Sequence, residues 1–82
     1  MQDMILILSR CQAKRTSLKS GKTFFRFHFR GFYSGLKIKE IHVYPHQNIL
    51  LTKGEDYLLW VTFKSVKEEI LEVQLLHYKK IE

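Results

Sequence analysis

Aromatic and cationic side chains alternate through Thr23–Arg30, whose sequence reads TFFRFHFR. Neighbouring side chains on a β-strand point to opposite faces, so this segment would present an apolar core face and a mixed outer face. The core face would hold Phe25, Phe27 and Phe29. The outer face would hold Phe24, Arg26, His28 and Arg30. Cationic groups bind phosphates and aromatic rings stack on unpaired bases, so this outer face predicts binding of single-stranded nucleic acid.

The alternation continues through Leu36–Tyr44 (LKIKEIHVY), with one change of phase. The inward positions would be Leu36, Ile38, Ile41 and Val43. A β-bulge near Lys39-Glu40 would account for the change. Because the two segments are consecutive, we expect their strands to be neighbours and their outer faces to form one patch. The patch would contain Phe24, Arg26, His28, Arg30, Lys37, Lys39, His42 and Tyr44.

Two roles are expected within this surface, phosphate binding and base stacking. Phosphates would be held by Arg26, Arg30, Lys37 and Lys39. Bases would stack on Phe24, His28, Tyr33 and Tyr44. The loop of the first hairpin would extend the patch with Lys14, Arg15, Lys19 and Lys22. Any one of these hairpin cations is also typical of ordinary solvated edge protection, so only the cluster points to a ligand.

The net charge of +6 is unevenly distributed along the chain. Residues 1–40 hold nine Lys and Arg against two acids, whereas residues 41–82 hold five against six. A positive field on one part of a small domain attracts polyanions and speeds their arrival. The alternatives are a solvated basic face without a ligand and a β-module whose basic half meets an acidic partner protein.

Residue types used in catalysis and metal binding are present, but not in suitable arrangements. Cys11 is the only cysteine, which excludes an intramolecular disulfide and a C-x-x-C pair and favours a reducing, cytoplasmic compartment. The four histidines have no metal-ligand spacing, and Glu68 and Glu69 are adjacent in a turn and cannot face each other across a substrate. A phosphate-cradling G-x-x-x-x-G-K motif is absent. We therefore expect no catalytic centre, no metal, no cofactor and no small-molecule substrate.

The period-two pattern predicts five strands in all. These are Met4–Lys14, Thr23–Arg30, Leu36–Tyr44, Tyr57–Val66 and Ile70–Lys80. The predicted breaks are Ser17–Gly21, Gly31–Gly35, Pro45 and Lys53–Asp56. The segment His46–Lys53 fits either a short helical turn or an extended stretch. An amphipathic helix over Ser65–Lys80 is the alternative to the last strand, and the alternation of apolar and polar residues there favours the strand.

Five strands in 82 residues predict one all-β domain that closes into a small antiparallel barrel, because closure removes exposed strand edges. The strand layout, with Leu51–Tyr57 (LTKGEDY) leading into the fourth strand, resembles OB-fold single-strand-binding proteins, including the small primosomal proteins. The resemblance implies an OB barrel that binds single-stranded DNA or RNA, in DNA replication or repair. The helix that usually follows the third strand would have to shrink into His46–Lys53, so an SH3-like barrel is the alternative.

A protein-interaction role is the second function class. Trp60 is out of phase with the expected core positions, so it would lie on the surface beside Leu58. The expected core positions of this strand are Leu59, Val61 and Phe63. Adjacent exposed apolar side chains mark contact sites, here for a replication enzyme of which this chain would be an accessory subunit, or for a second copy. The apolar run Met4–Leu8 is too short for a signal peptide or a membrane span, so we expect neither secretion nor a membrane location.

Overall fold

The structure is a computed structural model that describes residues 4–16, 20–46 and 49–82. The strands are β1 (Met4–Thr16), β2 (Thr23–Tyr33), β3 (Leu36–Tyr44), β4 (Asp56–Lys67) and β5 (Ile70–Ile81). All five predicted strands are present, and the C-terminal segment is a strand rather than a helix. Among these residues there is no helix long and apolar enough to cross a membrane.

The strands close into a barrel in the order β1-β2-β3-β5-β4, because β1 pairs with both β2 and β4. This is the order of an OB barrel, so the predicted fold is confirmed over the SH3-like alternative. One pairing differs from the predicted antiparallel arrangement, because β3 and β5 run parallel. Residues 45–55 connect β3 to β4. The tight turn after β4 reverses the chain, so β5 runs in the same direction as β3.

Two-residue turns join β2 to β3 and β4 to β5. Ser34 and Gly35 form the first turn with φ of 50° and 82°, and Glu68 and Glu69 form the second with φ of 53° and 66°. Positive φ at both central residues is typical of type I′ hairpins, which match the twist of paired strands. Because β2 reaches Tyr33, the break predicted over Gly31–Gly35 is confined to Ser34 and Gly35.

The predicted β-bulge is present in the pairing of β2 with β3, opposite Lys39. The pairs His28–Glu40 and Gly31–Ile38 show that the register shifts by one residue between them. Ile38 and Ile41 are both buried, as the change of phase requires. A Cβ atom at Gly31 would lie 3.1 Å from the ring of Phe29, so a larger residue there would require this ring to move by a few tenths of an ångström.

The barrel interior is filled by the inward residues of all five strands. Its fully buried members are Phe25, Phe27, Ile38, Ile41, Leu59, Val43, Val61, Val73 and Cys11. The predictions that Phe63 and Leu36 belong to this core are wrong, because Phe63 is 37% and Leu36 is 54% exposed. The β4–β5 register shifts between Phe63 and Ser65, and Phe63 stacks instead on Tyr33 with ring centroids 5.4 Å apart.

The described part of the connection from β3 to β4 packs against the barrel core through Ile49 and Leu51. Residues 47 and 48 of this connection lie outside the described ranges, and residues 49–53 contain no helix. Leu51 is buried in the core. The Cys11 amide donates to the Glu55 carbonyl at 3.0 Å, and the Gly54 amide donates to the Cys11 carbonyl at 2.8 Å. These bonds tie the predicted Gly54 turn to β1.

Candidate nucleic-acid interface

Three rings from β2 and β3 form the centre of the predicted surface. Phe24 stacks on His42 with ring centroids 4.4 Å apart and an interplanar angle of 23°, and it lies 5.3 Å from Tyr44. The Lys64 ammonium lies 4.5 Å from the centre of the Tyr44 ring. We call Phe24, His42 and Tyr44 the aromatic cluster. Its rings are pre-aligned next to a cation, an arrangement on which a base can stack.

Phe24 lies on the outer face, as predicted, but its side chain is not fully exposed. Phe24 is half-buried, because the antiparallel register places it beside the rings of β3. The contact explains how a phenylalanine is tolerated on an outer face, since part of its apolar surface is shared with His42 and Tyr44.

Carboxylates, which sequence reasoning missed, lie within the same face. Glu40 accepts from His42 Nε2 at 2.5 Å and lies 4.0 Å from Arg26 Nη1. Glu72 accepts from the Tyr44 hydroxyl at 3.0 Å. It faces β3 because of the parallel β3–β5 pairing, in which His42 lies opposite Glu72. The middle of the face is therefore less positive than the count of cations predicts.

The hydrogen bonds of Glu72 shift the acidity of both partners. The Ser65 hydroxyl, which donates at 2.6 Å, lowers the pKa of Glu72 most; Tyr44 and the charges of His42 and Lys64 lower it further, while burial opposes them. Burial, together with the bond to Glu72, raises the pKa of Tyr44 to about 12. Tyr44 therefore remains a neutral hydrogen-bond donor throughout the physiological pH range.

Replacing Glu72 by glutamine is expected to lower the pKa of Tyr44 from about 12 toward its ordinary value, because the carboxylate charge that disfavours tyrosinate is removed. In the native protein, the contribution of Tyr44 to stability is complete below its unfolded pKa of about 10 and is lost as the pH rises toward 12. NMR titration of ring-labelled tyrosine measures the shift. Glu69→Gln is the control and should leave Tyr44 unchanged. An unaltered Tyr44 titration in Glu72→Gln contradicts the assignment.

The distal end of the face lies beyond the bulge and consists of Arg30, Phe32 and Lys37. Phe32 lies opposite Lys37 and is 71% exposed. No salt bridge to Arg30 or Lys37 is formed by the described part of the chain. Phe32 continues the outward alternation of positions 24, 26, 28 and 30.

The remaining predicted residues of this region differ in availability. His28 is exposed, as predicted. Lys39 is also exposed but lies 3.7 Å from the Glu69 carboxylate. Tyr33 is half-buried, and one face of its ring is covered by Phe63. Of the two rings at this end, Phe32 thus offers the more open stacking surface.

Lys14, Arg15 and Lys22 are all exposed at the hairpin end of β1 and β2, with Lys14 on the side of the inward-facing Phe25. Arg15 lies opposite Phe24 in the β1–β2 pairing, so this cation borders the aromatic cluster. Lys19, the fourth predicted cation, lies outside the described residues. The outer face thus has cations at both ends and aromatic rings between them.

An apolar face lies on β1 and β4. Leu58 and Trp60, predicted as an interface, are half-buried because they pack beside Leu8 and Leu6 of β1. Trp60 also contacts His77, with ring centroids 5.0 Å apart. The sequence prediction missed the more exposed members. Met4, Leu6 and Leu8 each expose more than half of their surface, and with Leu58 and Trp60 they complete the apolar face.

Groups that could support other chemistry are dispersed or buried. Within residues 4–16, 20–46 and 49–82, no group of three or more His, Cys, Asp or Glu side chains is placed to hold a metal ion. Cys11 is 1% exposed, and burial raises the pKa of its thiol. A buried thiol with a raised pKa is a poor nucleophile.

Comparison with known proteins finds no family model, no curated protein and no solved structure that matches this chain. The function is therefore inferred from the residues of the barrel surface.

Proposed function

We propose that this protein binds single-stranded nucleic acid along the outer face of β2 and β3. The observation that carries the proposal is the aromatic cluster, in which Phe24, His42 and Tyr44 lie within stacking distance on an outer face. Aromatic side chains that pack against one another usually lie in a protein core. These three lie on the surface and are only half-buried. Base stacking on such rings contributes about 1–3 kcal/mol per base and tolerates any sequence.

The position of the cations supports a strand that runs along the face. Arg15 and Lys22 would hold phosphates at the hairpin end, and Arg30 and Lys37 would hold them at the distal end. Bases would stack between these ends on the aromatic cluster and on Phe32. Duplex bases are already stacked on one another, so the rings favour unpaired strands. Replication or repair of DNA is the process in which such a module would act.

The proposal predicts that a labelled oligonucleotide of about 12 nucleotides binds better as a single strand than as a matched duplex. If about four phosphates are neutralised, the logarithm of the association constant falls with the logarithm of salt concentration with a slope near −3. Fluorescence anisotropy between about 50 and 200 mM salt measures both quantities. Equal binding of single strand and duplex would remove the stacking role.

An accessory subunit that docks on a replication enzyme is the second candidate function, and the apolar face favours it. Met4, Leu6 and Leu8 are apolar, yet each exposes more than half of its surface to solvent. Contiguous exposed apolar side chains mark protein contact sites. The same titration separates the two candidates, because a docking subunit alone would bind single strands weakly and without dependence on Phe24.

A further inference from the structure

We propose that a cavity at the hairpin end of the barrel binds a phosphate group of the nucleic acid, and that it thereby fixes one end of the strand on the face. The inference rests on the proposed function for the identity of its ligand. The cavity has a volume of about 400 Å³. The side chains that define its chemistry are Lys14, Lys22, Tyr44, His46, Lys64 and Gln74.

The charge of the cavity wall is the first observation. Three lysines line the cavity, and among the described residues that line it there is no carboxylate. They come from distant parts of the chain: Lys14 from β1, Lys22 from the segment before β2 and Lys64 from β4. Three lysine side chains around one cavity repel one another unless an anion or solvent screens their charges. A phosphate supplies that anion.

The carboxylate of Glu72, which is bonded to the cavity residue Tyr44, is already engaged. Glu72 accepts hydrogen bonds from both Tyr44 and Ser65, one at each oxygen. The charge of Lys64 contributes to the lowered pKa of Glu72, but Glu72 does not line the cavity. The lysines therefore keep a net positive wall toward the cavity.

The position of Tyr44 links the cavity to the proposed strand path. Its ring belongs both to the cavity wall and to the aromatic cluster. Gln74 Nε2 donates to the Tyr44 carbonyl at 2.7 Å and holds the end of β3 in place. A base that stacks on the aromatic cluster would thus bring its phosphate next to Lys64 and Lys22. The volume is also within the range of about 300–1,000 Å³ that small-molecule sites use, which leaves room for a nucleotide.

Lys64→Gln tests the inference against Lys53→Gln, a matched control. Lys53 is exposed and outside the cavity, and its replacement changes the net charge equally. Lys64→Gln is expected to weaken single-strand binding about three- to tenfold more than the control and to reduce the salt slope by about 0.7, the value for one phosphate. Lys22→Gln should act in the same direction. Equal effects of Lys64→Gln and Lys53→Gln would overturn the inference.

Inorganic pyrophosphate is the probe that separates this inference from the proposed function. It is expected to shift the amide resonances of Thr23 and Gln74 in the native protein, and not in Lys64→Gln. If these shifts occur but no single strand binds, the pocket stands and the proposed function fails. If single strands bind with dependence on Phe24 but pyrophosphate causes no shift, the pocket fails and the proposed function stands.

Oligonucleotides with and without a terminal phosphate show whether the cavity binds a terminal or a backbone phosphate. A terminal phosphate predicts that 5′- or 3′-phosphorylated strands bind more tightly than unphosphorylated strands of the same sequence, and that Lys64→Gln removes the difference. A backbone phosphate predicts equal binding of all three strands, each weakened by Lys64→Gln. If Lys64→Gln binds all of these strands as tightly as the native protein does, the cavity binds neither a terminal nor a backbone phosphate.

Discussion

Phe27→Ala is expected to lower the free energy of unfolding by about 3–5 kcal/mol. Phe27 is completely buried, and its ring meets the edge of Tyr57 with centroids 6.3 Å apart. It lies between Cys11 of β1 and Ile41 of β3, so its removal leaves a cavity shared by three strands. A domain of 82 residues has a total stability of about 4–12 kcal/mol, so this loss would remove a large part of it.

Urea or thermal unfolding followed by circular dichroism measures this loss. Phe32→Ala is the matched control, because it removes the same side chain from a position that is 71% exposed. Its effect on stability should stay within about 0.5 kcal/mol. Comparable losses in the two variants would show that the face assigned to the core is not the buried one.

Phe24→Ala is expected to weaken single-strand binding about 5- to 150-fold, because a stacked base loses about 1–3 kcal/mol when its ring partner is removed. Phe24 is the member of the aromatic cluster that contacts both other rings, so its loss also frees His42 and Tyr44 from their fixed positions. Duplex binding, which uses only the cations, should change much less. Anisotropy titrations at one salt concentration provide the comparison.

Two conservative variants distinguish stacking from simple packing at this position. Phe24→Tyr keeps the ring and should bind nearly as well as the native protein. Phe24→Leu keeps apolar bulk but has no π-face, so it should lose about as much affinity as Phe24→Ala. If Phe24→Leu binds like the native protein, Phe24 only supports its neighbours and the stacking role falls to Tyr44 or Phe32.

Local patterns account for the elements of this fold. The alternation in TFFRFHFR separates Phe25 and Phe27 from Arg26 and His28, because side-chain direction on a strand is set by parity alone. The same rule locates the change of phase at Lys39-Glu40, and turn residues mark the hairpins. Five strands in a short chain then favour a closed barrel, since closure removes open edges. These features depend on residues near one another in sequence.

Errors and omissions arise where the outcome depends on distant residues. Phe63 has the parity of a core residue, yet a register shift between β4 and β5 brings it to the surface. The apolar residues of β1 have the pattern of an ordinary half-buried strand, and only the pairing with β4 joins Leu6 to Trp60 and Leu8 to Leu58. Register is a property of two strands together, so neither strand alone determines it.

The sequence by itself determined the strands, the barrel class and the mixed character of the β2–β3 face, because period-two alternation and charge are local properties. Tertiary structure decided how that face is divided. The parallel β3–β5 pairing brings Glu72 against Tyr44, 28 residues away in sequence, and lowers the positive charge at the centre. Barrel closure likewise brings Lys14, Lys22 and Lys64 around one cavity. Such contacts follow from strand order and register, which join residues far apart in the chain.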